Sequence, residues 1–229
     1  MASRILVASD IHGCHKTFEH ALDSMGLTRS DQLFLLGDFI DRGPGSKQLI
    51  DTILDIQENG FQITCLRGNH EQLLLDGIHN QMKLSTWLRN GGLHTLESFG
   101  CTHPKDIDQH YLQWMKNLAF YHEIGDYILV HAGLDMTVPD PFEEKNAMIW
   151  IRPWEVTVNQ NWLNDRTIVH GHTPQNMETI LECMNSSQRP QLINIDNGCC
   201  LNRPGYHALC WVDLTSGKVN FTPNSEKIN

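Results

Sequence analysis

At 229 residues, with 40% hydrophobic and 19% charged residues, the chain has the length of one domain with a full core and the composition of an ordinary globule. No apolar run approaches membrane-spanning length, so nothing is expected to cross a bilayer. A formal charge of -10 argues against broad binding to nucleic acid or anionic lipid, and an anionic substrate would need a local concentration of positive charge.

Met1-Ala2-Ser3-Arg4 leads directly into the strand-like Ile5-Leu6-Val7-Ala8, too short for a signal-peptide core, and the expectation is a cytoplasmic protein. Seven cysteines without a Cys-x-x-Cys pair suit free thiols in a reducing compartment, with Cys199-Cys200 a packing pair. Residues 5–9 read as a first parallel strand ending in Asp10-Ile11-His12-Gly13, followed by Phe18, Leu22 and Met25 at helical spacing. Residues 33–36 are a second strand, ending in Gly37-Asp38-Phe39-Ile40-Asp41-Arg42-Gly43. Leu49, Ile53 and Ile56 then mark a helix that stops near Asn59-Gly60. A third apolar run, 61–66, delivers Arg67-Gly68-Asn69-His70-Glu71 at the same relative place. Alternating strands and helices imply right-handed crossovers and a parallel sheet in this first third.

Residues 72–118 read as helical and less regular, a helical cap within a single domain spanning 1–229. Tyr127-Ile128-Leu129-Val130 is a strand ending at His131-Ala132-Gly133, and an acidic, Pro-rich loop follows at 139–145. Ile168-Val169-His170-Gly171-His172 is another strand and turn. Segments 192–196, 207–214 and 219–221 suggest hairpins that complete a second sheet, and 223–229 reads as a frayed tail.

Polar residues therefore gather just past the strands: Asp10, His12, Asp38, Asp41, Arg42, Asn69, His70, His131, His170 and His172. In α/β sheets that is where ligands bind, and imidazole with carboxylate, without thiolate, suits manganese, iron or zinc in a catalytic site. His15, His20, His79, His94, His103, His110, His122 and His207 lack acidic neighbours in sequence and are set aside as ordinary core or surface imidazoles. His170 and His172 lie two apart on one strand face, so spacing does not choose between them.

Asp10-Ile11-His12-Gly13, the segment 37–43, Gly68-Asn69-His70-Glu71, His131-Ala132-Gly133 and Gly171-His172-Thr173 resemble, in order, the motifs of the calcineurin-like metallophosphoesterases. Within them the chain is most similar to the small bacterial and phage serine/threonine protein phosphatases. The resemblance implies an α/β fold, a four-layer α/β/β/α sandwich with two mixed sheets flanked by helices. It also implies two divalent metal ions, manganese by preference with iron or zinc as alternatives. Asp10, His12 and a bridging Asp38 would hold one ion; Asp38, Asn69, His131 and His172 would hold the other. A shared carboxylate suits the separation of about 3.5 to 4 Å in two-metal hydrolytic sites. Neutral Asn69 would leave about one surplus positive charge after a bridging hydroxide is counted. That hydroxide would attack phosphorus in line, with His70 as general acid, Asp41 orienting it, and Arg42 and Arg152 clamping phosphate. The match selects His172 over His170 as ligand. Two departures stand out: Ser9 where relatives have glycine, expected to matter little, and Pro174 where many carry a further histidine.

The substrate expected is a phosphoprotein or phosphopeptide, hydrolysed by a monomer without nucleic-acid or membrane partners. The alternative is symmetrical hydrolysis of diadenosine tetraphosphate, a dinucleoside polyphosphate. Such relatives typically lack the aspartate found at Asp41, carry aspartate in place of Glu71, and are longer. A non-catalytic scaffold is the weaker rival, since every motif position holds a residue able to act. Cys183 and Arg189 have the spacing of cysteine-dependent phosphatases, but their loop lacks glycine and Glu182 would raise the thiol pKa. The loop 139–145 and the region 82–116 are expected to shape the pocket rim.

Overall fold

The computed structural model describes residues 3–226, so the expectations for Met1, Ala2 and the last three residues lie outside the described residues. Strand β1 (Ile5–Ala8), helix α1 (His15–Met25), β2 (Gln32–Leu35), α2 (Ser46–Glu58) and β3 (Gln62–Cys65) form the anticipated repeating unit, with β1, β2 and β3 parallel. Each strand is four residues long and alternates its side chains between two faces. Leu6, Ala8, Leu33 and Leu35 pack outward against helices, while Val7, Phe34 and Leu36 point inward.

The inward layer meets a second sheet of β4 (Tyr121–Ile124), β5 (Tyr127–Val130), β6 (Thr167–His170) and β7 (Leu192–Asn194), in that order. Leu129, Val169 and Ile193 supply its half of the shared core. Ile128, Val130 and Ile168 face the opposite way, onto Met148, Ile149 and Trp154. The result is the expected four-layer sandwich of two mixed sheets flanked by helices.

The hairpin of β8 (Ala208–Asp213) and β9 (Lys218–Pro223) corrects one expectation. It extends the first sheet, antiparallel to β1, rather than completing the second. Alternation along β8 buries both faces, with Leu209 and Trp211 against the helices and Cys210 and Val212 between the sheets, and that pattern does not encode which neighbour a strand takes. Residues 223–226 are not frayed either. Glu226 Oε1 accepts from the backbone N–H of Lys16 (2.6 Å) and Thr17 (3.2 Å), so a carboxylate covers the open N-terminal turn of α1.

Between β3 and β4 the chain is helical: α3 (Asn69–Gly77), α4 (Gln81–Trp87), a π turn at Leu88–Gly92, α5 (Leu93–Phe99) and α6 (Gln109–Asn117). Leu74, Leu84, Trp87, Leu96 and Leu112 join the same core as α1 and α2, which fixes this segment beside the carboxyl ends of the first sheet. The acidic loop gives Phe142 to the outer core, stacked on Tyr121 with centroids 4.1 Å apart. Helices α7 (Lys145–Trp150), α8 (Gln160–Leu163) and α9 (Met177–Met184) complete the second half.

Asp31, 2% exposed, ties the start of β1 to the turn before β2, accepting from Arg4 Nη2 (2.6 Å), Thr28 N (2.9 Å) and Thr28 Oγ1 (2.8 Å). Chiefly through the Arg4 side chain, its carboxyl is held well below the ordinary carboxylate value of 3.8. A depressed carboxyl pKa stabilises the fold above the unfolded value and loses that contribution as the carboxylate is protonated. Asp31→Asn is therefore expected to cost about 2 kcal/mol at pH 7. Its deficit relative to wild type should shrink as pH falls below 3.8, as measured by urea unfolding across that range.

Candidate active site

Six candidate site residues, Asp10, His12, Asp38, Asp41, Arg42 and His172, have positive φ between 49° and 73°. The left-handed region costs a non-glycine residue energy, so surrounding contacts must hold it there. Glu71 holds the second loop: its carboxylate accepts backbone N–H from Gly68 (2.9 Å), Asp38 (3.0 Å), Phe39 (2.8 Å) and Ile40 (3.4 Å). Gly68 is required beside it, because a Cβ there would lie 2.1 Å from Asp38 Oδ1.

Asp38 stands between two clusters. Its Oδ2 lies 3.5 Å from His12 Nε2 and 3.9 Å from His70 Nε2, while Oδ1 lies 3.5 Å from His131 Nε2 and accepts from His70 N (3.1 Å). His131 Nδ1 donates to Leu36 O (2.8 Å), and in that tautomer Nε2 turns a lone pair toward Asn69 Oδ1 (3.0 Å) and His172 Nδ1 (3.2 Å). His12 Nδ1 likewise donates to Ile40 O (3.0 Å), leaving its Nε2 an acceptor. Two groups result that could each hold a metal ion, His12 with Asp38 and His70, and Asp38 with His131 and His172.

Buried lone pairs that face one another repel, and a cation between them converts the repulsion to coordination. Every resolved shift at the centre points away from charge. Burial lowers His12, His70 and His172, and burial pushes the Asp38 carboxyl up to about 6. A divalent ion reverses both trends. The donor set of imidazole, carboxylate and amide oxygen fits such an ion.

Asp10 lies outside both triads. Its Oδ2 accepts from His172 N (3.0 Å) and from the Ser9 hydroxyl, so Ser9 is a direct partner of a candidate ligand and more than a small substitute for glycine. His70, expected as a general acid, places Nε2 within reach of the first triad, and its Nδ1 bonds Asp41 Oδ2 (2.6 Å). Arg42 Nη1 donates to His12 Nε2 (2.7 Å) and Nη2 to His70 Nε2 (3.0 Å). Arg152 sits at the rim, bonding Thr173 Oγ1 (2.8 Å) and His172 O (2.6 Å). His170 is packed against Trp154 with ring centroids 5.2 Å apart, and belongs to neither triad.

Several partners have no sequence signature. Trp87 Nε1 donates to both Asp41 oxygens (3.0 and 2.9 Å), and Thr95 Oγ1 donates to Asp41 Oδ1 (2.6 Å). Asp196, buried at 2% exposure, is a further carboxyl, raised by burial and by the charge of Asp10. In the sequence, segment 192–196 reads only as part of a hairpin. The cysteine rival is gone: Cys183 Sγ donates to Leu192 O (3.4 Å), and Arg189 pairs with Asp126 (3.1 Å).

A family model for calcineurin-like phosphoesterases matches residues 3–202. The chain belongs to that family. A symmetrical bis(5'-nucleosyl)-tetraphosphatase of Nitrosomonas europaea is 31% identical over 126 residues, 55% of this chain and 42% of that protein. A zinc-dependent endopolyphosphatase of Saccharomyces cerevisiae is 33% identical over 105 residues, 44% of this chain and 31% of that protein. The chain thus spans under half the length of the curated relatives it matches. A solved serine/threonine protein phosphatase of Saccharomyces cerevisiae overlays with a TM-score of 0.65, covering 98% of this chain and 81% of that one. At 15% identity that likeness speaks for the fold. Among the described residues, no helix of the chain is long and apolar enough to cross a membrane.

Trp87→Phe keeps the ring's bulk and removes the donor to Asp41. The expected outcome is about tenfold slower turnover of p-nitrophenyl phosphate with bound metal unchanged, checked by steady-state kinetics alongside metal analysis.

Proposed function

We propose that the chain is a metal-dependent phosphohydrolase that cleaves dinucleoside polyphosphates, using two divalent ions. Asp38, Asn69, His131 and His172 would hold one ion and Asp10, His12 and Asp38 the other. Manganese is the first choice, with iron or zinc as alternatives. When bound, such ions polarise phosphate oxygens and acidify water. The observation that carries this reading is Asp38 placed within 3.5 Å of imidazole nitrogens in both clusters. The substrate class is supported by the tetraphosphatase likeness, which spans 55% of this chain.

His12 Nε2 has one lone pair, so it serves a metal only once Arg42 Nη1 withdraws from it. The freed guanidinium stays beside the centre, where a phosphate offers two oxygens to its fork. Burial raises Asp41, to about 8, and lowers His70; with Nδ1 held against Asp41 Oδ2, His70 turns Nε2 to the centre, and once Arg42 Nη2 withdraws from it a proton on Nε2 would be placed for delivery to a leaving group.

That proton favours a second reading. A serine or threonine alkoxide is a poor leaving group that needs protonation, whereas a nucleoside diphosphate leaves as a stable anion. The Asp41–His70 bond of 2.6 Å thus favours a phosphoprotein substrate. Metal-reconstituted protein should be given diadenosine tetraphosphate, phosphoserine, phosphothreonine and phosphotyrosine peptides, and p-nitrophenyl phosphate. The expected result is a kcat/KM for the dinucleotide well above that for any peptide, with two nucleoside diphosphates as product. Peptides outrunning the dinucleotide would replace the first reading with the second.

Metal dependence has its own check. Asp38→Asn is expected to lose bound metal in both clusters, read by elemental analysis, and to reduce turnover at least 100-fold. Metal-chelated wild type should be equally inactive and recover when manganese is restored.

A further inference from the structure

The helical segment after β3 does more than support Asp41. Its π turn and the start of α5 border, with Arg42 and Cys200, an open cleft of about 400 Å³ lined by Arg42, Arg89, Asn90, Gly91, His94 and Cys200. The cleft adjoins the Asp38 centre through two residues: Arg42 lines it while its guanidinium reaches His12 and His70, and Cys200 Sγ donates to His12 O (3.5 Å).

Its chemistry is cationic. The lining holds two arginines, a histidine and an amide, and no carboxylate, in a chain of net charge -10. Arg89 bonds only neutral groups among the described residues, Ser85 Oγ (3.0 Å) and Thr86 Oγ1 (3.4 Å), so its charge is not spent on an ion pair. Glu97, exposed and outside the lining, lies 3.7 Å from His94 Nδ1. Unpaired guanidinium groups gathered in one concavity concentrate anions, and phosphate matches their geometry.

The wall is also fixed relative to the metal-binding centre. Gly91 O accepts from Arg42 N (3.4 Å), and Gly91 takes φ 107°, with a Cβ there falling 2.7 Å from Arg42 N. Only glycine permits that approach, so the Arg89-Asn90-Gly91 turn is seated on the Arg42 loop itself.

We propose that this cavity is a binding site for the phosphates that follow the one being cleaved, its ligand class being an oligophosphate chain, with Arg89 and His94 as specificity-determining residues. The inference rests on the dinucleoside polyphosphate reading, since a phosphorylated side chain carries no second phosphate. A single phosphate at the Asp38 centre satisfies Arg42. The next phosphates along an anhydride chain extend past Arg42 to Arg89 and His94, where charge-assisted hydrogen bonds await them.

The test is competitive inhibition of p-nitrophenyl phosphate hydrolysis by inorganic tripolyphosphate and by inorganic phosphate, with free manganese in excess. Wild type should bind tripolyphosphate about tenfold or more tightly than phosphate. Arg89→Ala should weaken tripolyphosphate about tenfold more than it weakens phosphate, and Arg89→Ala with His94→Ala should weaken it further. Both side chains are exposed, so their removal leaves the core intact. An unchanged ratio of the two inhibition constants in the double variant would overturn the subsite. Wild type that cleaves no dinucleotide yet shows the Arg89-dependent ratio keeps the subsite and loses the dinucleotide reading.

Discussion

A buried carboxylate wedged between two sets of inward-facing imidazoles is the constraint on which this site depends. Asp38 is 2% exposed, and its nearest side-chain partners are ring nitrogens whose other nitrogens already donate elsewhere, His12 to Ile40, His131 to Leu36 and His70 to Asp41. Those donations fix tautomer and ring orientation, so the remaining lone pairs have no freedom to turn away. Without a cation the cluster favours neutral forms, raised carboxyls beside lowered imidazoles; Arg42 is the cation that the chain itself supplies. The site is organised for positive charge before any ion arrives.

Holding that arrangement takes backbone in an uncommon conformation. Strand ends bring the loops to one edge, but strands alone do not place Asp10, His12, Asp38 and His172 at positive φ. Glu71 does so for the second loop by drawing successive N–H groups onto one carboxyl group, although burial and the charge of Asp38 raise its pKa to about 7. The acceptor is itself buried at 0% exposure, and its position one residue after His70 couples the two loops rigidly. Local strain is thus offset by interactions that span segments far apart in sequence.

The helical segment after β3 links packing to chemistry. Trp87 is fully buried in the same core as Phe18 and Leu49, yet its Nε1 ends on Asp41. Thr95, one turn into α5, reaches the same carboxylate, while Arg89 and His94 between them face the cavity. A core residue therefore holds the carboxyl group that bonds His70, and neighbouring residues on the same segment set the charge of the rim. In the function proposed, substrate choice and proton delivery would share one structural element, coupled through its packing.

By itself the sequence determined the order of the elements, the alternation that buries two faces of each strand, and the polar residues that fall past strand ends, because these follow from local periodicity and turn chemistry. Asp10, His12, Asp38, Asn69, His70, His131 and His172 were legible for that reason. Trp87, Thr95, Ser9 and Asp196 were not, since a tryptophan on a helical face or a serine at a strand end has the same local pattern whether or not a carboxylate lies across from it. The placing of β8 and β9 on the first sheet, the docking of Glu226 on α1, and the role of His70 Nε2 beside His12 belong to the tertiary structure alone. Each depends on contacts between residues tens to hundreds of positions apart, and local periodicity carries no information about which distant partner completes a hydrogen bond or a sheet edge.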